Sequence, residues 1–299
     1  MTDSSPPPRR RVKSDKPFFV GLLGLTMLYL LLVLALIFAN FKFALFKSGF
    51  FSWEHLQTTL LDPRIQHSVS LTLLTCFISA ILAVFIAVPA GYLLSRYEFP
   101  GKRWIDSMLD IPIVLPPLVI GISLLILFNN IHLFGTNSTL ESLFRSWFAW
   151  LPRLTGGSEP GITFSVTGVI LAQFTVAAAF AVRTMRHSFD QISPRHEHVA
   201  LTLGCNRAQA FWSVLLPAAG PGMITAGSMA WARAFGEFGP ILVFAGATPN
   251  KTEVLSTTVF MEFNIGNIEG AATVSLLMVV TALLVLTLVR WLGAGKEIW

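Results

Sequence analysis

The chain has 299 residues and a formal net charge of +5; 54% of its residues are apolar and only 12% are charged. A soluble domain is about a quarter charged, so this composition excludes a soluble globular protein and points to an integral membrane protein. Five runs hold no Asp, Glu, Lys or Arg: Pro17–Phe41, Ile65–Ser95, Ile111–Leu140, Pro160–Val182 and Gly270–Val289. Each meets the length of about 20 apolar residues that a helix needs to cross hydrocarbon. A sixth stretch, about 219–245, is apolar except for Arg233 and Glu237. The expected fold class is therefore an all-α membrane protein with six transmembrane helices.

In chain order, residues 1–16, with SSPPPRRR, read as a disordered cytoplasmic tail. The first span has a 22-residue apolar core, 18–39, longer than the roughly 7–15 residues of a signal peptide, and reads as uncleaved. With the outside segment that follows, it forms a unit over 17–64, in which FSWEHLQTTL is expected as a short interfacial helix seated by Trp53. Residues 65–291 form a core of five spans. The second span ends in SRYEFPGKR, a turn around Pro100-Gly101. Pro112, Pro116 and Pro117 remove backbone donors and predict a bend in the third. A long outside loop covers about 129–161, and residues 292–299 are a second cytoplasmic tail.

Placing the N-terminus inside puts 14 of the 21 Lys and Arg residues in the cytoplasm and six outside, with Arg233 in a span. The positive-inside rule selects this topology, with both termini cytoplasmic. The basic balance is thus an insertion signal; the partner it implies is the lipid bilayer, and no nucleic acid is needed. Cys76 falls in a span and Cys205 in a cytoplasmic segment, so no disulfide framework is expected.

Between the fourth and fifth spans lies EHVALTLGCNRAQAFWSVLLP, Glu197 to Pro217, too polar to cross and too helix-prone for a slack linker. Ser193-Pro194 suits a helix start, Gly204 interrupts, and Asn206 caps a second helix. Gly204 is expected where two backbones pass closely. Pattern alone leaves two readings: a rigid helix–turn–helix knob, or an amphipathic helix resting on lipid headgroups.

These residues resemble the permease subunits of binding-protein-dependent ABC importers. Their signature loop reads glutamate, two alanines, three variable residues, glycine, nine variable residues, then isoleucine, any residue, leucine, proline. Members for molybdate, tungstate and sulfate often carry the glutamate one place earlier. Here Glu197 takes that earlier place, Ala200 is the second alanine, Gly204 the glycine, and Val214, Leu216 and Pro217 the end. His198 and Val199 depart from the small or acidic residues usual there. SRYEFPGKRWIDSMLDIPIVLPPLVIGISLLILF, ARAFGEFGPILVFAG and the outside PNKTE followed by GNIEGAA resemble the same subgroup.

The resemblance implies a type I ABC importer permease fold with a coupling loop over 190–217, in the inner membrane. It implies import of a tetrahedral oxyanion, molybdate first, then sulfate or tungstate. It also implies an ATPase subunit dimer, a second permease copy or related permease, and an extracytoplasmic solute-binding protein. The chain has no GxxxxGK[ST] loop, so no cofactor is expected on it; ATP and Mg would belong to the ATPase. Other solutes (iron, thiamine, a polyamine) are the alternative. An ion-coupled secondary transporter is less favoured, because no internal repeat is visible.

Arg233 and Glu237 stand one helical turn apart. A charge at mid-bilayer costs about 2.5–3.5 kcal/mol, so these two either line an anion pathway or form an ion pair, shared with Asp110; the pair is favoured. Asp106, on the same face as Asp110, is expected to pair near Arg103 at the helix end, and no catalytic residue is assigned. His196-Glu197-His198 lacks the HExxH spacing, so no metal site is expected. Gly227, Gly236 and Gly239 suit close helix contact.

Overall fold

The computed structural model describes residues 16–47, 50–51, 53–131, 139–147 and 161–294. The tails expected over 1–16 and 292–299 fall outside these except at Lys16 and 292–294, as does most of the 129–161 loop. The regular structure of the described residues is helical apart from a two-residue antiparallel pairing of Phe46–Lys47 with Phe50–Phe51.

Helix α1 covers Lys16–Leu45 and is followed by α2, Trp53–Leu61, at the position of the expected interfacial helix. The long α3, Pro63–Arg96, starts where the Asp62 carboxylate accepts from the Arg64 amide at 2.8 Å, with proline in the first turn. Then come α4, Lys102–Val114, and α5, Pro117–Asn129, bent by 112° at the Leu115–Pro116 break. Pro116 and Pro117 supply no backbone donors there, which is the physical cause of the kink. Helix α6, Leu140–Trp147, precedes α7, Val166–Gln191, capped by Ser165 Oγ accepting from the Gly168 amide at 3.2 Å.

Among the described residues, four helices are long and apolar enough to cross a membrane: Phe18–Ala44, Pro63–Arg96, Val166–Gln191 and Ile268–Val289. The bent α4–α5 pair makes a fifth if taken as one span. The stretch 219–245, expected as one crossing, is broken. It forms α11, Gly220–Phe235, only 16 residues, then a turn through Gly236–Pro240, then a π-helical turn, Ile241–Ala245. Sixteen residues rise about 24 Å, short of the roughly 30 Å hydrocarbon core. Pro240 and the two flanking glycines account for the interruption. Helices α12, Leu255–Asn264, and α13, Ile268–Ala294, complete the chain.

The core lies where α3, α7 and α11 pack together through small side chains. Ala80, Ala83 and Ala87 of α3 meet Ala177, Ala181 and Met185 of α7, with Ala226 and Ala230 of α11. Small residues let backbones approach closely where apolar burial gives no net driving force in lipid. Ser79 Oγ donates to the Ile170 carbonyl at 3.0 Å, and Gln173 Nε2 donates to Cys76 Sγ at 3.4 Å, so this seam also satisfies its polar groups. Cys76 and Cys205 are both free thiols.

Of the three glycines expected to allow close contact, only Gly239 does so strongly. A Cβ there would lie 2.9 Å from Pro117 Cβ, whereas Gly227 and Gly236 have ordinary room. The break after α11 therefore packs on the break before α5, within this one chain. At the α3 end remote from the 190–217 segment, Arg64 donates to Glu253 at 2.6 and 2.8 Å and to Glu262 at 3.0 Å. Glu253 is fully buried, so this bond set ties the start of α3 to the 246–267 segment.

Candidate coupling loop and membrane ion pairs

The segment between α7 and α11 folds as two short helices. Helix α8 spans Arg195–Thr202 and ends in a Schellman-type closure, with the Cys205 amide donating to the Ala200 carbonyl and the Gly204 amide to the Leu201 carbonyl. Gly204 has φ +94°, the left-handed region, and nothing lies within 4 Å of a Cβ placed on it. The reason for glycine here is therefore backbone conformation, and the close passage of backbones expected from sequence is absent. Asn206 and Gln209 then form a reciprocal capping box, each bond 2.8 Å, opening α9, Arg207–Ala210. A π-helical turn, Phe211–Leu215, and α10, Leu216–Ala218, lead directly into α11.

The signature positions divide between two faces. Glu197 and Ala200, three residues apart, are buried. His198, Gly204 and Pro217 are exposed, and Val214 and Leu216 are half-buried. Val199, Leu203 and Trp212 project outward at 56%, 80% and 66% exposure. These are three apolar side chains left exposed on a polar segment.

Glu197 Oε1 accepts from the Tyr92 hydroxyl at 2.8 Å. Arg207 Nη1 donates to the Tyr97 hydroxyl at 3.0 Å, with its guanidinium over that ring. The Tyr97 hydrogen bond raises the Arg207 pKa above its usual value. Arg96, Tyr97, Glu197, His198, Leu201 and Arg207 border a cleft of about 260 Å³. Tyr92, Tyr97 and Arg207 were not singled out from the sequence. The available signal was that two of the three tyrosines in the chain flank the last turn of α3.

Arg233 and Glu237 lie at ion-pair distance, with Glu237 1% exposed and Arg233 30%. Beyond Arg233, no donor reaches either Glu237 carboxylate oxygen. The Arg233 guanidinium also sits 5.8 Å from the Phe180 ring centre, and the Glu237 carbonyl accepts from Ser256 Oγ at 2.7 Å. Asp110, expected to share this pair, does not: it is bound by Arg183, with Nε to Oδ1 at 2.5 Å. Asp106 likewise pairs with Arg186, at 2.5 Å, and not with Arg103. The bend at Leu115–Pro116 lays α4 along α7, which brings the aspartates to these arginines. Among the described residues no group of three His, Cys, Asp or Glu side chains could hold a metal. Glu197 points inward while its histidine neighbours are exposed.

The two Asp–Arg pairs hold a helix with no buried residue of its own. Pairs this exposed contribute about 1 kcal/mol or less each. A chain carrying Asp106→Asn and Asp110→Asn should keep its thermal stability, while a spin label at Ser107 gains mobility. Unchanged label spectra would show that α4 is held by something else.

The family of binding-protein-dependent transport system inner membrane components matches residues 87–296. The chain belongs to this family. It is 32% identical over 244 residues to the molybdate/tungstate transport system permease protein WtpB of Thermococcus kodakarensis, covering 82% of this chain and 85% of that one. It is 27% identical over 270 residues to the sulfate transport system permease protein CysT of Escherichia coli, covering 90% of each. In fold it is similar to a bacterial ABC transporter involved in alginate import, with TM-score 0.70 at 15% identity over 95% of this chain and 96% of that one. It also resembles the MetNI methionine ABC transporter, with TM-score 0.55 at 19% identity over 82% and 97% of the two chains.

Proposed function

We propose that this chain is the membrane-spanning permease subunit of an ATP-driven importer for a tetrahedral oxyanion, molybdate first, then sulfate or tungstate. It would cross the inner membrane six times with both termini cytoplasmic, the broken 219–245 stretch serving as one crossing. Its partners would be a second permease copy or related permease, an ATPase dimer that holds ATP and Mg, and an extracytoplasmic binding protein. The observation that carries the reading is the Glu197–Pro217 knob, joined to α7 through the short 192–194 break on one side and running into α11 on the other. A rigid element inserted between two core helices passes a push to both, and packed interfaces respond by switching between discrete arrangements. The Arg233–Glu237 pair would fix α11 in this bundle.

The oxyanion assignment is supported by similarity to WtpB and CysT proteins over more than four-fifths of the chain. Proteoliposomes holding the permease with its ATPase and binding protein should take up molybdate only with ATP inside the ATPase compartment. Unlabelled tungstate and sulfate added as competitors rank the cargo. Accumulation against a gradient without any ATPase would overturn the reading.

A further inference from the structure

We infer that Glu197 works inward, as a positioning residue that joins the knob to α3 through Tyr92. This inference rests on the reading of 190–217 as a coupling loop. Glu197 stands in the first turn of α8 but is 9% exposed, so little of its carboxylate faces a partner docking on the outer surface. What it meets is the Tyr92 hydroxyl at 2.8 Å, one helical turn before the end of α3. The Tyr92 ring sits among Phe189 of α7 at 5.7 Å and Phe211 of the π-helical turn at 4.8 Å. Its hydroxyl lies 3.4 Å from that of Tyr97, which accepts from Arg207 of α9. Both helices of the knob therefore reach the end of α3, α8 through Glu197 on Tyr92 in its last turns and α9 through Arg207 on Tyr97 just past it.

Helix α3 is a single 34-residue element that carries Pro89 inside it, three residues before Tyr92. The 28 residues from Tyr92 back to Arg64 span about 42 Å of helix. Arg64 in turn holds Glu253 and Glu262 at the other end. A displacement of α8 is thus delivered, through one tyrosine–carboxylate bond, to a rod anchored on the 246–267 segment. The outward face left for a partner is Val199, Leu203 and Trp212.

The test compares Glu197→Gln, Glu197→Ala, Tyr92→Phe and the double Tyr92→Phe/Glu197→Ala in ATPase-loaded proteoliposomes, read as molybdate imported per ATP hydrolysed. Glutamine keeps a carbonyl that accepts from Tyr92, so Glu197→Gln should stay within about twofold of wild type. Tyr92→Phe and Glu197→Ala should each lose about tenfold, the weight of one hydrogen bond to a charged acceptor. The double variant should fall no further, because both changes remove one bond. ATPase co-purification should be unchanged throughout. Equal loss in Glu197→Gln and Glu197→Ala, with Tyr92→Phe at wild type, would overturn the inference and assign the charge to a partner. If Tyr92→Phe is poorly produced, the glutamine–alanine comparison decides alone. Uptake by wild type without ATP would instead sink the permease reading itself.

Discussion

Gly204→Val should reduce ATP-driven uptake at least tenfold while leaving the chain inserted, and Gly204→Asn should retain most of it. The position holds φ +94°, where a side chain with a Cβ pays about 1–2 kcal/mol and a β-branched one more, whereas asparagine tolerates the left-handed region. The space around it is open, so steric bulk is not the issue. What valine disturbs is the closure through the Cys205 and Gly204 amides that sets the angle between α8 and α9. Uptake in proteoliposomes, with an ATPase pull-down as control, measures this; valine at wild-type activity would remove the loop's rigidity from the mechanism.

Arg233→Ala should be the most destabilising single change in the membrane region. It strands the Glu237 carboxylate, 1% exposed and with no donor besides Arg233. Removing one member of a buried pair costs about 3–5 kcal/mol, while replacing both with apolar residues is often neutral. The double variant Arg233→Leu/Glu237→Leu should therefore recover much of the thermal stability lost in Arg233→Ala. A midpoint for Arg233→Ala equal to wild type in detergent would show that the pair contributes nothing. The same double variant also separates two roles: retained uptake marks a structural pair, and lost uptake with recovered stability marks a pathway residue.

The two predictions differ in how far the sequence leads to them. Gly204 and Asn206 announce a helix end and a helix start by residue type, and both are found at those places. The reason for Gly204 needed its φ angle. Arg233 and Glu237 can meet because they are four residues apart, Arg233 in the last turn of α11 and Glu237 just past its end, yet Asp110 had no such local constraint. Its partner Arg183 is 73 residues away and becomes adjacent only after the α4–α5 bend. Glu197 shows the same limit: its motif position is plain in the sequence, but Tyr92, 105 residues distant, decides which way it faces.

By itself the sequence determined that this is a membrane protein, where its long helices run, and on which side its basic residues favour each end. Those properties add up residue by residue, because transfer of a helix into hydrocarbon depends on its own side chains. The runs Ile65–Ser95 and Gly270–Val289 accordingly fall inside α3 and α13. Tertiary structure alone decided that the 219–245 stretch is interrupted, that Asp106 and Asp110 bind α7, and that the glutamate of the knob is turned toward α3. These are contacts between elements far apart in the chain, and helices in lipid associate through close packing and polar pairing that no single segment encodes.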